Sequence, residues 1–189
     1  MPYLIAIGGH VGTGKTCLAY GLRGVVPFLR DAVILEDDQI RRQVMGVALG
    51  VTMEPRAYEN DISARVKDMI DQQTRAALAG GVSVVNPSGF FSLESRNQAK
   101  LWAAECAATF VGLWLVAPRQ VMECRIRQRQ HERETLQELR LENGHASDAC
   151  VAVIDKFGEL NPPDDSAWHV LDASLSIDRV CQAAAQKIG

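Results

Sequence analysis

A chain of 189 residues, 47% of them hydrophobic, can bury one substantial core, so we expect a single domain over 1–189. The 20 basic and 23 acidic residues leave a net charge of -3, which disfavours a broad positive surface for nucleic acid or anionic lipid. No apolar stretch approaches the roughly 18 residues of a membrane span, and no leader-like segment follows Met1. These features predict a cytoplasmic protein that does not bind a membrane.

The cysteines are odd in number and widely spaced, and none forms a C-x-x-C pair. This pattern is typical of reduced thiols rather than of a metal or disulfide site.

Short apolar runs alternate with stretches of helical spacing along the chain. Runs of this kind are typical of strands buried on both faces of a parallel sheet. The predicted strands are Tyr3–Ile7, Ala32–Leu35, Val82–Val85, Phe110–Val116 and, more weakly, Trp168–Leu171. Apolar stripes predict helices around Leu18–Val25, Ile62–Ala77, Cys150–Phe157 and Ile177–Ile188. The alternation indicates an α/β fold with right-handed crossovers.

Between the first predicted strand and the first helix lies Gly9-His10-Val11-Gly12-Thr13-Gly14-Lys15-Thr16, which satisfies G-x-x-x-x-G-K-[ST]. Glycines let the backbone amides turn toward phosphate oxygens, and the N-terminus of the following helix adds positive potential. We expect the nucleotide to contact the loop and the first residues of this helix as far as Cys17. Lys15 would reach the β- and γ-phosphates, and the Thr16 hydroxyl would ligate Mg²⁺. No N-K-x-D guanine-reading tetrapeptide is present, which favours ATP over GTP.

With this loop and several weaker segments, the sequence resembles small P-loop kinases of the AAA_33 type, which are related to polynucleotide kinase and zeta toxin kinase domains. The weaker segments are Asp38–Arg41, Gly112–Pro118, Arg125–Arg129, Ser147–Ala149 and Leu171–Ser174. The resemblance spans nearly the whole chain. It implies a P-loop kinase fold with five parallel strands in the order 2-3-1-4-5, and phosphoryl transfer from ATP·Mg to a hydroxyl.

The resemblance also implies that Asp38 and Arg41, after the second strand, face the acceptor. A carboxylate there could take the proton of the attacking hydroxyl, while a guanidinium could hold a polar or anionic part of the acceptor. Asp37 could replace Asp38 as this base. The alternative is a solvated acidic pair and a surface arginine.

Arg125 and Arg129 are one helical turn apart, and in the resembling kinases such arginines close over the phosphates as a lid, here expected within 125–146. We expect Arg129 to stabilise transferring charge and Arg125 to contact the nucleotide, with Arg133 as a substitute. The alternative is a solvated helix with weak ion pairs.

At the end of the third strand, where many relatives carry aspartate, this sequence has Asn86. An uncharged amide cannot offset the charge of a metal ion, although it can orient a water or a hydroxyl. Ser88 and Phe90 could line the acceptor pocket; the alternative is a plain turn. Trp102, Trp114 and Trp168 are predicted to be core residues.

Together these features predict an ATP-dependent kinase acting on a small-molecule hydroxyl. Sugars, antibiotics, nucleosides and other small alcohols all fit, because 46–58 and the loop after Asn86 carry no diagnostic pattern. Two alternatives are a nucleic-acid 5′-hydroxyl kinase, which the net charge disfavours, and a nucleotide-binding regulatory or toxin-like module with little turnover.

Overall fold

The computed structural model describes residues 1–48, 51, 53–135 and 151–189. Within these residues five strands form one parallel sheet in the order β2-β3-β1-β4-β5. The strands are β1 (Tyr3–Gly9), β2 (Val33–Ile34), β3 (Val84–Pro87), β4 (Thr109–Val116) and β5 (Trp168–Asp172). The predicted sheet and its strand order are confirmed, with β1 in the centre and every strand within two residues of its predicted bounds.

Seven helices connect or flank the strands of the described part. They are α1 (Lys15–Val25), α2 (Asp37–Met45), α3 (Asn60–Ala79), α4 (Leu93–Glu105), α5 (Arg119–Thr135), α6 (Ala152–Phe157) and α7 (Ile177–Ile188). Short 3₁₀ turns lie at Pro27–Leu29 and Pro55–Tyr58. No helix in this part of the chain is long and apolar enough to cross a membrane.

Two hydrophobic layers cover the two faces of the sheet. On one face Leu18 and Leu22 of α1 pack with Val180 and Ala184 of α7 against Ile5 and other strand residues. This arrangement explains the apolar stripes of the two helices, since each stripe faces the sheet.

The opposite face is covered by α3 and α4, with Ile62, Val66 and Ile70 packed near Leu4 and Trp102. Trp102, Trp114 and Trp168 are at most 5% exposed, which confirms the prediction that they are core residues.

A third, smaller cluster joins α5 and α6 to the loop after β1. Met122 and Ile126 of α5 and Ile154 of α6 are buried there, with Val11 packed against them. A β-carbon at Gly12 would lie 2.8 Å from the carbonyl oxygen of Met122, so only glycine lets the α5 backbone approach the loop this closely. This packing holds one face of α5 over the phosphate loop.

The predicted lid at 125–146 lies partly outside the described residues. Residues 125–135 form the second half of α5, whereas 136–146, the side chain of Arg133, and Ser147 and Cys150 of the predicted late helix are not described. Within the described part of that late helix, α6 is present over Ala152–Phe157. Ser176 occupies the N-cap position of α7, but its side chain makes no capping hydrogen bond.

Candidate active site

The loop between β1 and α1 has the backbone geometry of a phosphate-binding loop. Gly9, Gly12 and Gly14 have φ values of 127°, 82° and 93°, a region that favours glycine. Gly14 is the N-cap of α1 and no side chain caps the helix there, so the helix N-terminus stays open to an anion. Thr13 is buried, and its hydroxyl donates to the carbonyl of His10 at 2.7 Å, which tightens the turn.

Lys15 lies against this loop. Its Nζ donates to the carbonyl oxygens of Gly9 and His10, each at 2.9 Å. Burial lowers the pKa of Lys15 to about 8, Asp37 opposes that shift, and the positive charge of Arg129 adds to it. Lys15 and Arg129 therefore repel each other, and an anionic ligand between them would reduce this repulsion.

Two arginines of α5 lie beside the loop. Arg125 donates from a terminal guanidinium nitrogen to the carbonyl of Thr13 at 3.4 Å, and Arg129 donates from Nε to the carbonyl of Arg125 at 3.5 Å. A β-carbon at Gly14 would lie 3.9 Å from the Arg125 guanidinium, which leaves the space above Gly14 open. Lys15, Arg125 and Arg129 are thus brought to one side of the loop. Cys17, in the first turn of α1, has an exposed side chain.

The loop residues have the chemistry to bind a nucleoside triphosphate with Mg²⁺. Open amides at the N-terminus of α1 and three cations suit phosphate oxygens. The Thr16 hydroxyl donates to Oε2 of Glu36 at 3.2 Å, which places a hydroxyl and a carboxylate oxygen, both ligands that Mg²⁺ prefers, side by side. No group of three His, Cys, Asp or Glu side chains in the described ranges could hold a metal alone.

Glu36 was not singled out from the sequence, although it precedes the acidic pair at the same strand end. It is 5% exposed and accepts hydrogen bonds from Tyr20 at 2.9 Å and Gln39 at 2.6 Å, besides that from Thr16. Burial raises the pKa of Glu36, the hydrogen bonds from Tyr20 and Thr16 oppose that rise, and Asp38 and Asp37 add to it. Glu36 therefore lies on the Thr16 side of the site, next to the phosphate loop.

A cleft of about 210 Å³ opens between the end of β3 and the helices α2, α3 and α4. We call it the Asp37 cleft. Asp37, Arg41, Asn86 and Ser88 line it near the end of β3, and α3 and α4 add further polar side chains, those of Ser63, Lys67, Ser95 and Gln98. Val66, Ile70, Phe90 and Trp102 form the apolar part of the wall. Ser88 and Phe90, from the loop after β3, both line it.

Asp37 is the carboxylate that lines this cleft, and Asp38 is not among the lining residues. Both residues begin α2 rather than end the strand, so their side chains leave the helix in different directions. One Asp37 oxygen accepts from the Ser88 hydroxyl at 2.7 Å. Burial raises the pKa of Asp37 to about 6; Asp38 adds to this rise, whereas the Ser88 hydrogen bond, Arg41 and Lys15 oppose it.

Arg41 is held in the cleft by contacts with α3 and the preceding turn. Its guanidinium donates to the carbonyl of Ala57 at 2.7 Å and to the Ser63 hydroxyl at 3.3 Å, and it lies 5.0 Å from the Tyr58 ring centroid. These contacts fix the orientation of the planar group and leave its Nε without a partner in the described residues. Arg41 and Asp37 therefore share one wall of the cleft.

Asn86 has a structural contact that the sequence did not indicate. Its side-chain amide is 2% exposed and donates to the carbonyl of Leu35 at 2.6 Å, which ties β3 to the end of β2. The amide is thus engaged with the backbone beside the acidic residues.

Replacing Asn86 by aspartate is expected to destabilise the fold rather than improve a metal site. The carboxylate would lose the donated hydrogen bond and face a carbonyl oxygen, at a cost of about 1–3 kcal/mol. Urea unfolding monitored by circular dichroism measures this loss. Asn97→Asp on the exposed side of α4 is the control, expected to stay within about 0.5 kcal/mol; equal stability of the two variants would contradict the role given to Asn86.

Comparison with known proteins agrees with this geometry. The model of the AAA_33 family, described as an AAA domain, matches residues 4–151. No curated protein sequence matches the chain significantly.

Solved structures share its fold over nearly their whole length, at sequence identities that show the fold alone. A candidate kinase of Chloroflexus aurantiacus is 21% identical with a TM-score of 0.67, and the alignment covers 100% of this chain and 99% of that one. A gluconokinase of Sinorhizobium meliloti is 14% identical with a TM-score of 0.61, covering 99% and 91%. The APS kinase of Mycobacterium tuberculosis, in complex with AMPPNP and APS, is 16% identical with a TM-score of 0.63, covering 99% and 97%. The chain has the fold of the P-loop kinases and belongs to the AAA_33 family.

Proposed function

We propose that this protein is an ATP-dependent kinase that phosphorylates a hydroxyl of a small molecule held in the Asp37 cleft. The observation that carries the proposal is the adjacency of two sites. Asp37 lines a cleft of ligand size, and its charge is near enough to Lys15 of the phosphate loop that each shifts the pKa of the other. A hydroxyl bound at Asp37 would thus lie beside the phosphates bound at the loop.

In this proposal ATP·Mg, when bound, supplies the phosphoryl group. The loop amides with Lys15 and Arg125 bind the phosphates, Thr16 and Glu36 lie on the metal side, and Arg129 offsets negative charge. Asp37 accepts the acceptor's proton, and Arg41 orients the acceptor. As the new oxygen–phosphorus bond forms, the bond between the γ-phosphorus and its bridging oxygen breaks, giving a phosphate ester and ADP.

Assigning the base to Asp37 replaces our sequence-based expectation of Asp38. The cleft lining supports this choice, as does the raised pKa of Asp37, because a base with a pKa near the working pH accepts a proton well. Named neighbours of the same fold act on small molecules, a gluconokinase and an APS kinase among them, which supports a small-molecule acceptor. The AMPPNP in the APS kinase structure supports an adenine nucleotide as the donor.

The experiment that tests the proposal is ADP formation from MgATP by the purified protein, with and without candidate acceptors. The panel holds sugar acids, aromatic hydroxy acids, nucleosides and 5′-hydroxyl oligonucleotides, and Asp37→Asn is the control. Stimulation by a small alcohol that disappears in Asp37→Asn supports the proposal.

Two outcomes would replace it. Stimulation by oligonucleotides that weakens steeply with salt would favour a nucleic-acid kinase. Tight ATP binding without stimulation by any acceptor class would favour a regulatory nucleotide-binding module.

A further inference from the structure

Three buried polar atoms without hydrogen-bond partners in the described part of the chain belong to residues that line the Asp37 cleft. They are Oδ1 of Asp37, Nε of Arg41 and Nε1 of Trp102. Buried polar groups in folded proteins nearly always have a partner, and an unpaired one is costly. Three such atoms belong to residues around one cleft, where a ligand that shifts these side chains slightly would supply the missing partners.

The chemistry of these atoms describes the ligand. A carboxylate oxygen of Asp37 accepts a hydrogen bond, so the ligand presents a hydroxyl there. The guanidinium of Arg41 and the indole N–H of Trp102 only donate, so the ligand presents acceptor oxygens to them. Because a guanidinium is charged and forked, a carboxylate is the group that matches Arg41 best.

The remaining wall restricts the body of the ligand. Ser63, Lys67, Ser95 and Gln98 add polar groups to the lining, but most of the surface of the cleft is apolar. Val66, Ile70 and Phe90 contribute side chains that offer no hydrogen bonds. Every further hydroxyl placed against them would lose its water without gaining a partner. An apolar or aromatic body packs there without that penalty.

The volume of the cleft limits the size of the enclosed part. A dry cavity of about 150 Å³ holds one benzene molecule, and the Asp37 cleft measures about 210 Å³. One ring with a short polar substituent therefore fills it, whereas a whole nucleoside would extend beyond it.

We propose that the phosphate acceptor is a small hydroxy acid with an apolar, ring-sized body, rather than a polyhydroxylated sugar acid or a nucleoside. The hydroxyl lies at Asp37, the carboxylate at Arg41 with an oxygen toward the Trp102 indole, and the body against Val66, Ile70 and Phe90. This inference rests on the proposed function, since it names the acceptor of the same site.

The test compares the binding of 3-phenyllactate and gluconate by calorimetry in the presence of MgADP. Both probes are hydroxy acids of the same charge, so they differ in the body alone. We expect 3-phenyllactate to bind at least about tenfold more tightly, the scale on which apolar pockets discriminate. Equal or tighter binding of gluconate, or no binding of 3-phenyllactate, overturns the inference.

A matched pair of variants tests the indole contact. Trp102 and Trp168 are both 5% exposed, and each has an unpartnered Nε1 in the described residues, but only Trp102 lines the cleft. Trp102→Phe is expected to weaken 3-phenyllactate binding about tenfold, as when a buried donor–acceptor pair is lost. Trp168→Phe is expected to have a smaller effect, because Trp168 reaches the cleft only through its packing against Phe90. Equal affinities in the two variants would contradict the contact.

A second variant keeps the test decisive if Trp102→Phe unfolds. Val66→Thr adds a hydroxyl to the wall with almost no change in shape, so it should shift the affinity ratio toward gluconate. An unchanged ratio would contradict the assignment of Val66 to the ligand body.

Binding and turnover are separate readouts, so the two proposals can fail separately. If 3-phenyllactate binds but no ADP forms, the proposed ligand class stands and the proposed kinase activity is rejected. If gluconate is phosphorylated but 3-phenyllactate does not bind, the proposed kinase activity stands and the proposed ligand class is rejected.

Discussion

Replacing Lys15 by alanine is expected to abolish phosphoryl transfer and to weaken nucleotide binding. Lys15 lies against the phosphate loop, and its Nζ donates hydrogen bonds to the carbonyl oxygens of Gly9 and His10. Loss of a positioned positive charge that faces a transferring phosphate costs on the order of 10³-fold in rate or more. Acceptor-stimulated ADP formation measures the rate, and calorimetry with MgATP measures the affinity.

Lys187→Ala is the control for this variant. Lys187 is exposed near the end of α7, and its removal changes the net charge by the same amount. Unchanged ATP affinity and turnover in Lys15→Ala would reject the phosphate loop as the nucleotide site. An equal loss in both variants would show a general charge effect instead.

Asp37→Asn is expected to keep ATP binding and to lose acceptor phosphorylation by roughly 10²–10⁴-fold, the usual contribution of a general base. The asparagine keeps an oxygen to accept the Ser88 hydrogen bond, so the cleft should keep its shape. Asp38→Asn is the matched control, because it removes the same charge one residue along α2. If Asp37→Asn transfers phosphate at the wild-type rate and Asp38→Asn is inactive, Asp38 and not Asp37 is the base.

The pH dependence follows from the raised pKa of Asp37. A base must be ionised, so kcat/KM should be full above about pH 6 and fall as the pH drops through that value. Stability should change in the opposite sense. Because the folded pKa exceeds the ordinary value of 3.8, the folded state loses stability relative to the unfolded chain as the pH rises through about 6.

Asp37→Asn should therefore melt at a higher temperature than the wild type at pH 8, with a smaller difference at pH 4. A carboxylate kept at a cost in stability is typical of a functional position. A lower melting temperature at pH 8 would indicate that Asp37 stabilises the fold and would weaken its assignment as the base.

Periodicity and composition were sufficient to predict the strands and the phosphate loop. Central strands of a parallel sheet are buried on both faces, so they appear as continuous apolar runs such as Tyr3–Ile7. The loop is a local motif whose turn requires glycines at set positions, so its geometry follows from neighbouring residues. The strand order came from the family resemblance, because periodicity does not state which strands are neighbours.

Helix α4 and its contribution to the cleft were not anticipated. Its apolar residues do not form a regular stripe, because Leu93 and Leu101 are exposed while Ala99 and Trp102 are buried. The contribution of Trp102 to the cleft could not be predicted from the sequence, because it depends on the packing of α3 and α4 side by side on the sheet.

By itself the sequence determined the α/β class, the strands, the phosphate-binding loop and the presence of an acidic group beside it. Only the tertiary structure decided what each acidic residue contacts: Glu36 meets Thr16, and Asp37 lines the cleft with Ser88. Successive helical residues are rotated by about 100°, so adjacent carboxylates face different surroundings. Those surroundings come from segments distant in the chain, as Ser88 is 51 residues from Asp37, and local patterns carry no information about such contacts.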